Sequence, residues 1–245
     1  IHHKEEKFIM KLKKIASLAL AGIMAVSMLT ACDTTSNSND QPTQPEEPTT
    51  PATGYSATFE DRLSALADAN ISMSDSSDLN AALNYAMDFV SNSKIAWDYF
   101  FNLKDTVAFV APIGGTDLNQ AAVELVKQAD TDRESMDKAT KEAIVNVLNP
   151  LSAEVDYDKD DVDVVLLYAV DGGLSTDAAV MEVADALDAQ IKGLVRSYNA
   201  PTTAGETHEA NYNYTGSVSA DTITLDADHG KSMTFVAVEI VRELV

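Results

Sequence analysis

Residues 162–173, Val-Asp-Val-Val-Leu-Leu-Tyr-Ala-Val-Asp-Gly-Gly, contain the most apolar strand pattern of this chain. An apolar, β-prone run that ends in a glycine pair predicts a buried strand followed by a tight turn. Apolar side chains then recur at helical spacing, at Val180, Val183, Ala184, Leu187, Ile191 and Leu194. The stretch and its continuation therefore predict a strand, turn and helix of the α/β type.

A second stretch upstream has the same pattern. Residues 105–111 form a β-prone run ended by Pro112 and by Gly114 and Gly115, and an amphipathic helical pattern covers 118–129. We interpret the two stretches as an internal repeat whose strands lie parallel in one sheet, although any two such units look alike at this level. Parallel strands end at the same sheet edge, where pockets of α/β folds form. The repeat predicts a ligand site at Gly114, Gly115, Gly172 and Gly173.

The remaining patterns complete a mixed fold. Two helical stripes, at 59–67 and 79–90, come before the first strand, and a capping box at Thr131 precedes another helix. Residues 211–214, 222–225 and 234–241 alternate or are β-prone and predict an antiparallel pair or triplet at the C-terminus. We expect one α/β domain of mixed α+β type over 55–245, with a mixed sheet of about five strands packed against about five helices.

The N-terminal part has the pattern of an export signal. Met10 is followed by three lysines within four residues and then by an apolar run from Ile15 to Leu29. This order of a charged region, a short apolar region and small residues is typical of a secretory signal peptide, which we place at 10–31. Residues 1–9 lie upstream of Met10, and we expect them to be a non-native extension.

Leu29-Thr30-Ala31-Cys32 closes this signal and holds the only cysteine of the chain. The four residues resemble the lipobox of bacterial lipoproteins. That resemblance implies transfer of a diacylglycerol to the Cys32 thiol and cleavage before it, so that lipid attached at Cys32 anchors the protein to the membrane. Stable anchoring needs two lipid chains or equivalent signals. We therefore expect an extracytoplasmic domain on the outer face of the cell membrane.

A linker joins this anchor to the domain. Residues 33–54 contain six Thr and four Pro, and Ala52 is their only aliphatic residue. Such a composition buries too little apolar surface to offset the entropy of ordering, which predicts a disordered tether. Residues 32–54 are accordingly assigned to the lipidated cysteine and its linker.

The charge of the chain narrows the classes of partner. The full chain has a formal charge of −22, and residues 55–245 carry 12 Lys+Arg against 33 Asp+Glu. An acidic surface repels phosphate, which argues against a nucleic-acid partner. It favours solubility and mutual repulsion, or else a cation or a basic partner.

Four aspartates suggest a cation site. Asp156, Asp158, Asp160 and Asp161 resemble the opening of a calcium loop, since carboxylates two residues apart can converge on one hard cation. The glycine and the final glutamate of an EF-hand loop are missing. The two readings are a loose Ca²⁺ site and a solvated acidic turn, and no other cofactor is expected.

Aromatic residues provide the last candidate site. Tyr212 and Tyr214 alternate with Asn211 and Asn213, so they share one face of a strand. Aromatic faces stack on sugars and fill peptide pockets, which makes the pair a candidate binding surface, with core packing as the alternative.

The sequence leaves two functions open. No nucleophile, base and orienting residue occur in a recognisable pattern, which favours a binding or scaffolding module without catalysis, with a cell-wall component or an envelope protein as partner. The alternative is a hydrolase of cell-wall glycan or peptide that uses paired carboxylates. A solute-binding lipoprotein is disfavoured because two lobes need a longer chain.

Overall fold

A computed structural model describes residues 52–91, 107–112, 116–129, 148, 151, 161–201, 207–226 and 231–245. The strands in these ranges are β1 Ser72–Met73, β2 Val107–Phe109, β3 Asp161–Asp171, β4 Ser197–Pro201, β5 Thr207–Asp226 and β6 Lys231–Leu244. The helices are α1 Gly54–Arg62, α2 Ala65–Asp68, α3 Ser77–Ser91, α4 Asp117–Gln128 and α5 Thr176–Lys192.

The strands form one mixed sheet. Its order is β1-β5-β6-β3-β2, and β4 pairs with the beginning of β5. β1 and β5 are parallel, whereas all the other pairs are antiparallel. The fold class predicted from the sequence is confirmed: the described residues form a single mixed α/β body with six strands and five helices.

Helices cover both faces of this sheet. On one face, even-numbered residues of β3 such as Leu166 pack with α1, α2 and α5 in one apolar cluster. On the other face, odd-numbered residues such as Leu167 pack with α3 and most of α4 in a second cluster. Because helices pack on both sides of β3, both of its faces are buried, which explains its continuous apolar run.

The predicted parallel repeat is wrong. β2 and β3 are neighbours, but they are antiparallel, with Val107 opposite Val170 and Phe109 opposite Tyr168. The end of β2 therefore lies away from the Gly172 and Gly173 turn that follows β3. A sequence pattern of strand, turn and helix indicates local structure and burial on both faces. It does not determine whether two neighbouring strands run parallel or antiparallel.

The C-terminal strands are antiparallel, as the sequence predicts. β5 and β6 pair from Tyr212 opposite Leu244 to Asp226 opposite Lys231, with an irregularity between Thr224 and Asp226. The two separate β-prone stretches at 211–214 and 222–225 belong to one continuous strand, β5. The hairpin joins both faces of the core, because Val236 and Val238 lie in one cluster and Phe235 and Ala237 in the other.

Side-chain hydrogen bonds cap both ends of α5. The Ser175 side chain accepts a hydrogen bond from the Ala178 amide at the start of α5, as expected of an N-cap serine. At the other end of α5, the Asn70 side chain donates to the carbonyls of Ile191 and Lys192. Asn70 follows α2, so this contact holds the N-terminal helices on α5.

Candidate functional site

Tyr212 and Tyr214, predicted as a binding surface, lie on a buried face of β5. Each has only 2% of its surface exposed, and both belong to the cluster under α5. Asn211 and Asn213 are the exposed residues of this stretch. Alternation correctly places the tyrosines on a common face, but it does not reveal which face meets solvent. The tyrosines form no open binding surface.

Arg242 of β6 lies beside the tyrosines in the core. It is directly opposite Tyr214 in the strand register and is fully buried. Its guanidinium carbon lies 4.6 Å from the centroid of the Tyr212 ring, and its Nη1 donates to the Leu151 carbonyl at 3.1 Å. The negative face of an aromatic ring attracts a cation, which offsets part of the lost hydration.

The Tyr214 hydroxyl completes this cluster. It donates a hydrogen bond to the Val195 carbonyl at 2.8 Å, just after the end of α5. Burial raises the pKa of Tyr214 to about 12, and the nearby charge of Arg242 acts in the opposite direction. Tyr214 is therefore a neutral donor at physiological pH and not a base.

Sequence reasoning missed the role of Arg242. The signal that was present is its position: an arginine one residue beyond the β-prone run at 234–241, at the same parity as the buried Val236 and Val238. The chemistry of the cluster is structural, because its cation, its ring and its hydroxyl already contact one another or backbone carbonyls.

The predicted site at Gly172 and Gly173 is a tight turn. A Cβ on Gly172 would lie 2.2 Å from the carbonyl carbon of Ser232, so no side chain fits there. The Gly172 amide donates to the Ser232 carbonyl at 3.1 Å, and the Ser232 hydroxyl donates to the Gly172 carbonyl at 2.9 Å. The Gly173 amide donates to the Asp171 carboxylate. Close packing of β3 on β6 explains why position 172 is a glycine. The other two glycines of the predicted site, Gly114 and Gly115, lie outside the described residues.

The predicted cation site falls mostly outside the described residues. Asp156, Asp158 and Asp160 are not described, and Asp161 is the first residue of β3, opposite Glu243. Within the described part of the chain, no group of three or more His, Cys, Asp or Glu residues is arranged to hold a metal ion. Ca²⁺ binding by the four aspartates stays a prediction, as does lipid attachment at Cys32.

Two carboxylates lie on the face of the sheet that packs against α3 and α4, beyond the second apolar cluster. Asp163 of β3 and Glu239 of β6 are both half-buried. Asp163 is opposite Val241, so Glu239 is its diagonal neighbour, and such neighbours are about 7–8 Å apart. The Ser217 hydroxyl donates to Glu239 Oε2 at 2.9 Å. This pairing depends on strand register, which is why the sequence did not reveal it.

Comparisons with known proteins do not assign this chain to a family. No protein-family model, no curated protein and no solved structure matches it. Among the helices of the described ranges, none combines the length and the apolar character that a membrane span needs.

Proposed function

We propose that this chain is a membrane-anchored envelope lipoprotein whose acidic α/β domain binds or scaffolds a partner without catalysing a reaction. The observation that carries the proposal is the junction between linker and domain. α1 begins at Gly54, the last residue of the Thr- and Pro-rich linker, and Ser56 and Phe59 are already fully buried. The proposed tether is therefore followed directly by a helix that packs in the core, which suits a domain held away from the membrane.

Polar contacts fasten this first element to the rest of the domain. The Ser56 hydroxyl accepts from the Val218 amide at 3.0 Å, and the Thr53 amide donates to the Asp75 carboxylate at 3.1 Å. Arg62 makes two hydrogen bonds to Asp185 of α5. These contacts attach the start of the domain to β5 and α5, so force applied through the linker acts on packed elements.

The anchor is tested with the full chain in a bacterial host that exports lipoproteins. We expect the protein to incorporate labelled palmitate and to fractionate with membranes. Cys32→Ala removes the thiol that carries the lipid, so that variant takes up no label and leaves the membrane fraction. Ser36→Ala in the linker is the matched control and behaves as the parent chain. Membrane retention of the Cys32→Ala chain contradicts the lipid anchor.

Binding is tested by incubating the detergent-purified full chain with isolated cell walls. Sedimentation of the protein with the walls, without release of soluble fragments, is the result expected of a binding module. Sedimentation with an envelope-protein fraction instead identifies a protein partner. Binding to neither fraction contradicts the proposed role.

A hydrolase of cell-wall glycan or peptide is the second candidate, and the pairing of Asp163 with Glu239 favours it. Residues at diagonal positions of neighbouring strands are close enough for their two carboxyl groups to face one substrate, as a glycosidase requires. If the chain is such a hydrolase, it releases wall fragments in a time-dependent way. Glu239→Gln or Asp163→Asn then lowers the rate of release by a factor of about 10²–10⁴. Glu209→Gln, an exposed residue of β5 that is opposite Asn199 of β4, is the control. Release that survives both Glu239→Gln and Asp163→Asn contradicts this candidate.

A further inference from the structure

Between Ala220 and Thr224, one edge of β5 has no strand partner among the residues that the structure describes. The Tyr212 amide donates to the Arg196 carbonyl, and the Gly216 carbonyl accepts from the Ser74 amide, both on the side of β5 away from β6. Backbone groups of a strand alternate in direction, so those of Ala220, Thr222 and Thr224 point to this same side. Among the described residues, no strand pairs with this part of the edge.

Side chains of the described residues accept hydrogen bonds at two points along this edge. At its near end, the Ser56 hydroxyl accepts from the Val218 amide at 3.0 Å. In its centre, the Thr222 amide donates to the Asp221 carboxylate at 2.8 Å. The amides of Ala220 and Thr224 and the three outward carbonyls make no hydrogen bond to the described residues. An edge of this kind is a template for another extended chain.

The side chains around the edge define what an added strand meets. On one face are Asp221 and Ile223, both half-buried. On the other face, Thr222 Oγ1 lies 2.9 Å from Thr234 Oγ1 and 3.4 Å from Thr176 Oγ1 at the start of α5. An added strand therefore faces a carboxylate and an aliphatic side chain on one side and hydroxyl groups on the other.

We infer that the edge of β5 from Ala220 to Thr224 binds an extended, basic peptide segment of a partner protein by β-strand addition. The inference rests on the proposed binding role and specifies its partner. Main-chain hydrogen bonds supply affinity in this mode, and alternate side chains supply specificity. A Lys or Arg opposite Asp221 complements both that carboxylate and the −22 charge of the chain.

A second copy of this chain fits the edge less well. Pairing two β5 edges brings the Asp221 carboxylates of both copies to one short interface, and like charges across neighbouring strands are destabilising. The two acidic domains also repel each other as wholes. A basic segment meets neither penalty.

The test uses the full chain in detergent and a labelled peptide, Lys-Val-Lys-Thr-Lys-Val-Lys. The comparison peptide has the same sequence but is N-methylated at its three central residues, which keeps the charge and removes the donors of both its edges. We expect the unmodified peptide to bind at least tenfold more tightly. Equal affinities would show attraction by charge alone and overturn the proposal, as would the absence of saturable binding.

Two variants at one position locate the interaction. Thr224→Pro removes an outward amide that β6 does not use, and proline is tolerated on an edge strand where its nitrogen faces solvent. Thr224→Ala keeps the amide. We expect the proline variant to lose the tenfold preference and the alanine variant to keep it, with melting temperatures showing that both fold. If Thr224→Pro still binds the unmodified peptide tenfold more tightly than the methylated one, the peptide does not bind at this edge.

Two further results separate this inference from the role on which it rests. Sedimentation with cell walls or envelope proteins that persists in Thr224→Pro overturns the edge as the binding surface but leaves the binding role intact. Loss of sedimentation in the parent chain overturns the role itself. Dimerisation of the parent chain that Thr224→Pro abolishes overturns the peptide assignment in favour of a second copy.

Discussion

The guanidinium of Arg242 lies over the ring of Tyr212, 4.6 Å from its centroid, in the core beneath α5. β6 supplies the cation and β5 the ring, so the contact joins the two long strands close to their paired ends. The Leu151 carbonyl accepts from the same guanidinium. One buried side chain thus connects the hairpin to a separate part of the chain.

Substitution of Arg242 separates its packing from its charge. Arg242→Met keeps the bulk of the side chain but leaves the Leu151 carbonyl without this donor, and we expect a loss of about 1–3 kcal/mol in the free energy of unfolding. Arg242→Ala also opens a cavity and costs about 2–5 kcal/mol more. Urea denaturation of both variants measures the difference.

The control for this pair is Arg196→Ala. Arg196 is exposed, and only its backbone carbonyl takes part in the sheet, so the expected change is within about 0.5 kcal/mol. If Arg242→Met and Arg242→Ala lose the same stability, the packing of the side chain contributes nothing and the interpretation is wrong.

Tyr214→Phe tests the phenol that reaches the Val195 carbonyl. Loss of this hydrogen bond lowers the free energy of unfolding at pH 8 by about 0.5–1.5 kcal/mol. The folded pKa of about 12 lies above the unfolded value of about 10. The stability from this group is therefore complete below pH 10 and is lost as the pH rises through 12.

The difference in the free energy of unfolding between the parent chain and Tyr214→Phe should consequently become smaller between pH 8 and pH 11. Urea denaturation at the two values measures it, and absorbance of tyrosinate at alkaline pH shows that one late-titrating group has disappeared. Burial also raises the pKa of Tyr168, but both proteins share that residue, so its contribution cancels. A gap that widens with pH would show that the phenol is not held neutral by the fold.

The strands that the sequence predicted well are those whose burial is simple. β3 is apolar on both faces because helices cover both, and that pattern is visible without knowledge of its neighbours. The β5 and β6 pair was also predicted, since β-prone stretches recur along the C-terminal part of the chain. The predicted fold class followed from these local signals.

What the sequence did not predict depends on register and direction. The alternation at Tyr212 and Tyr214 fits a buried face as well as an exposed one, and the packing of α5 on that face decides between them. The neighbouring carboxylates Asp163 and Glu239 are 76 positions apart and meet only through the β3 and β6 register. A local sequence pattern gives no information about contacts between residues so far apart in the chain.

The two glycines after β3 should respond differently to alanine. A Cβ at Gly172 would lie 2.2 Å from the backbone of Ser232, so β3 and β6 must separate, and we expect a loss of about 1–3 kcal/mol or more. At Gly173 the nearest atom is an oxygen of the Asp171 side chain at 3.3 Å, and Asp171 is exposed and can move. Gly173→Ala should therefore change stability little. Thermal melts of the two variants check the contrast, which fails if both melt alike.

Ser56→Ala tests the contact between α1 and β5 at Val218. The Ser56 hydroxyl donates to the Ser74 carbonyl and accepts from the Val218 amide, each at 3.0 Å, and the residue is fully buried. Alanine leaves a buried backbone amide without its acceptor, which costs about 1–3 kcal/mol. Thr58→Ala, in the same helix, removes only an exposed bond to the Gly54 carbonyl and is the control. Hydrogen exchange should show faster exchange at the Val218 amide in Ser56→Ala alone, because the hydroxyl is the group that protects it. Unchanged protection there would mean that another group holds this edge.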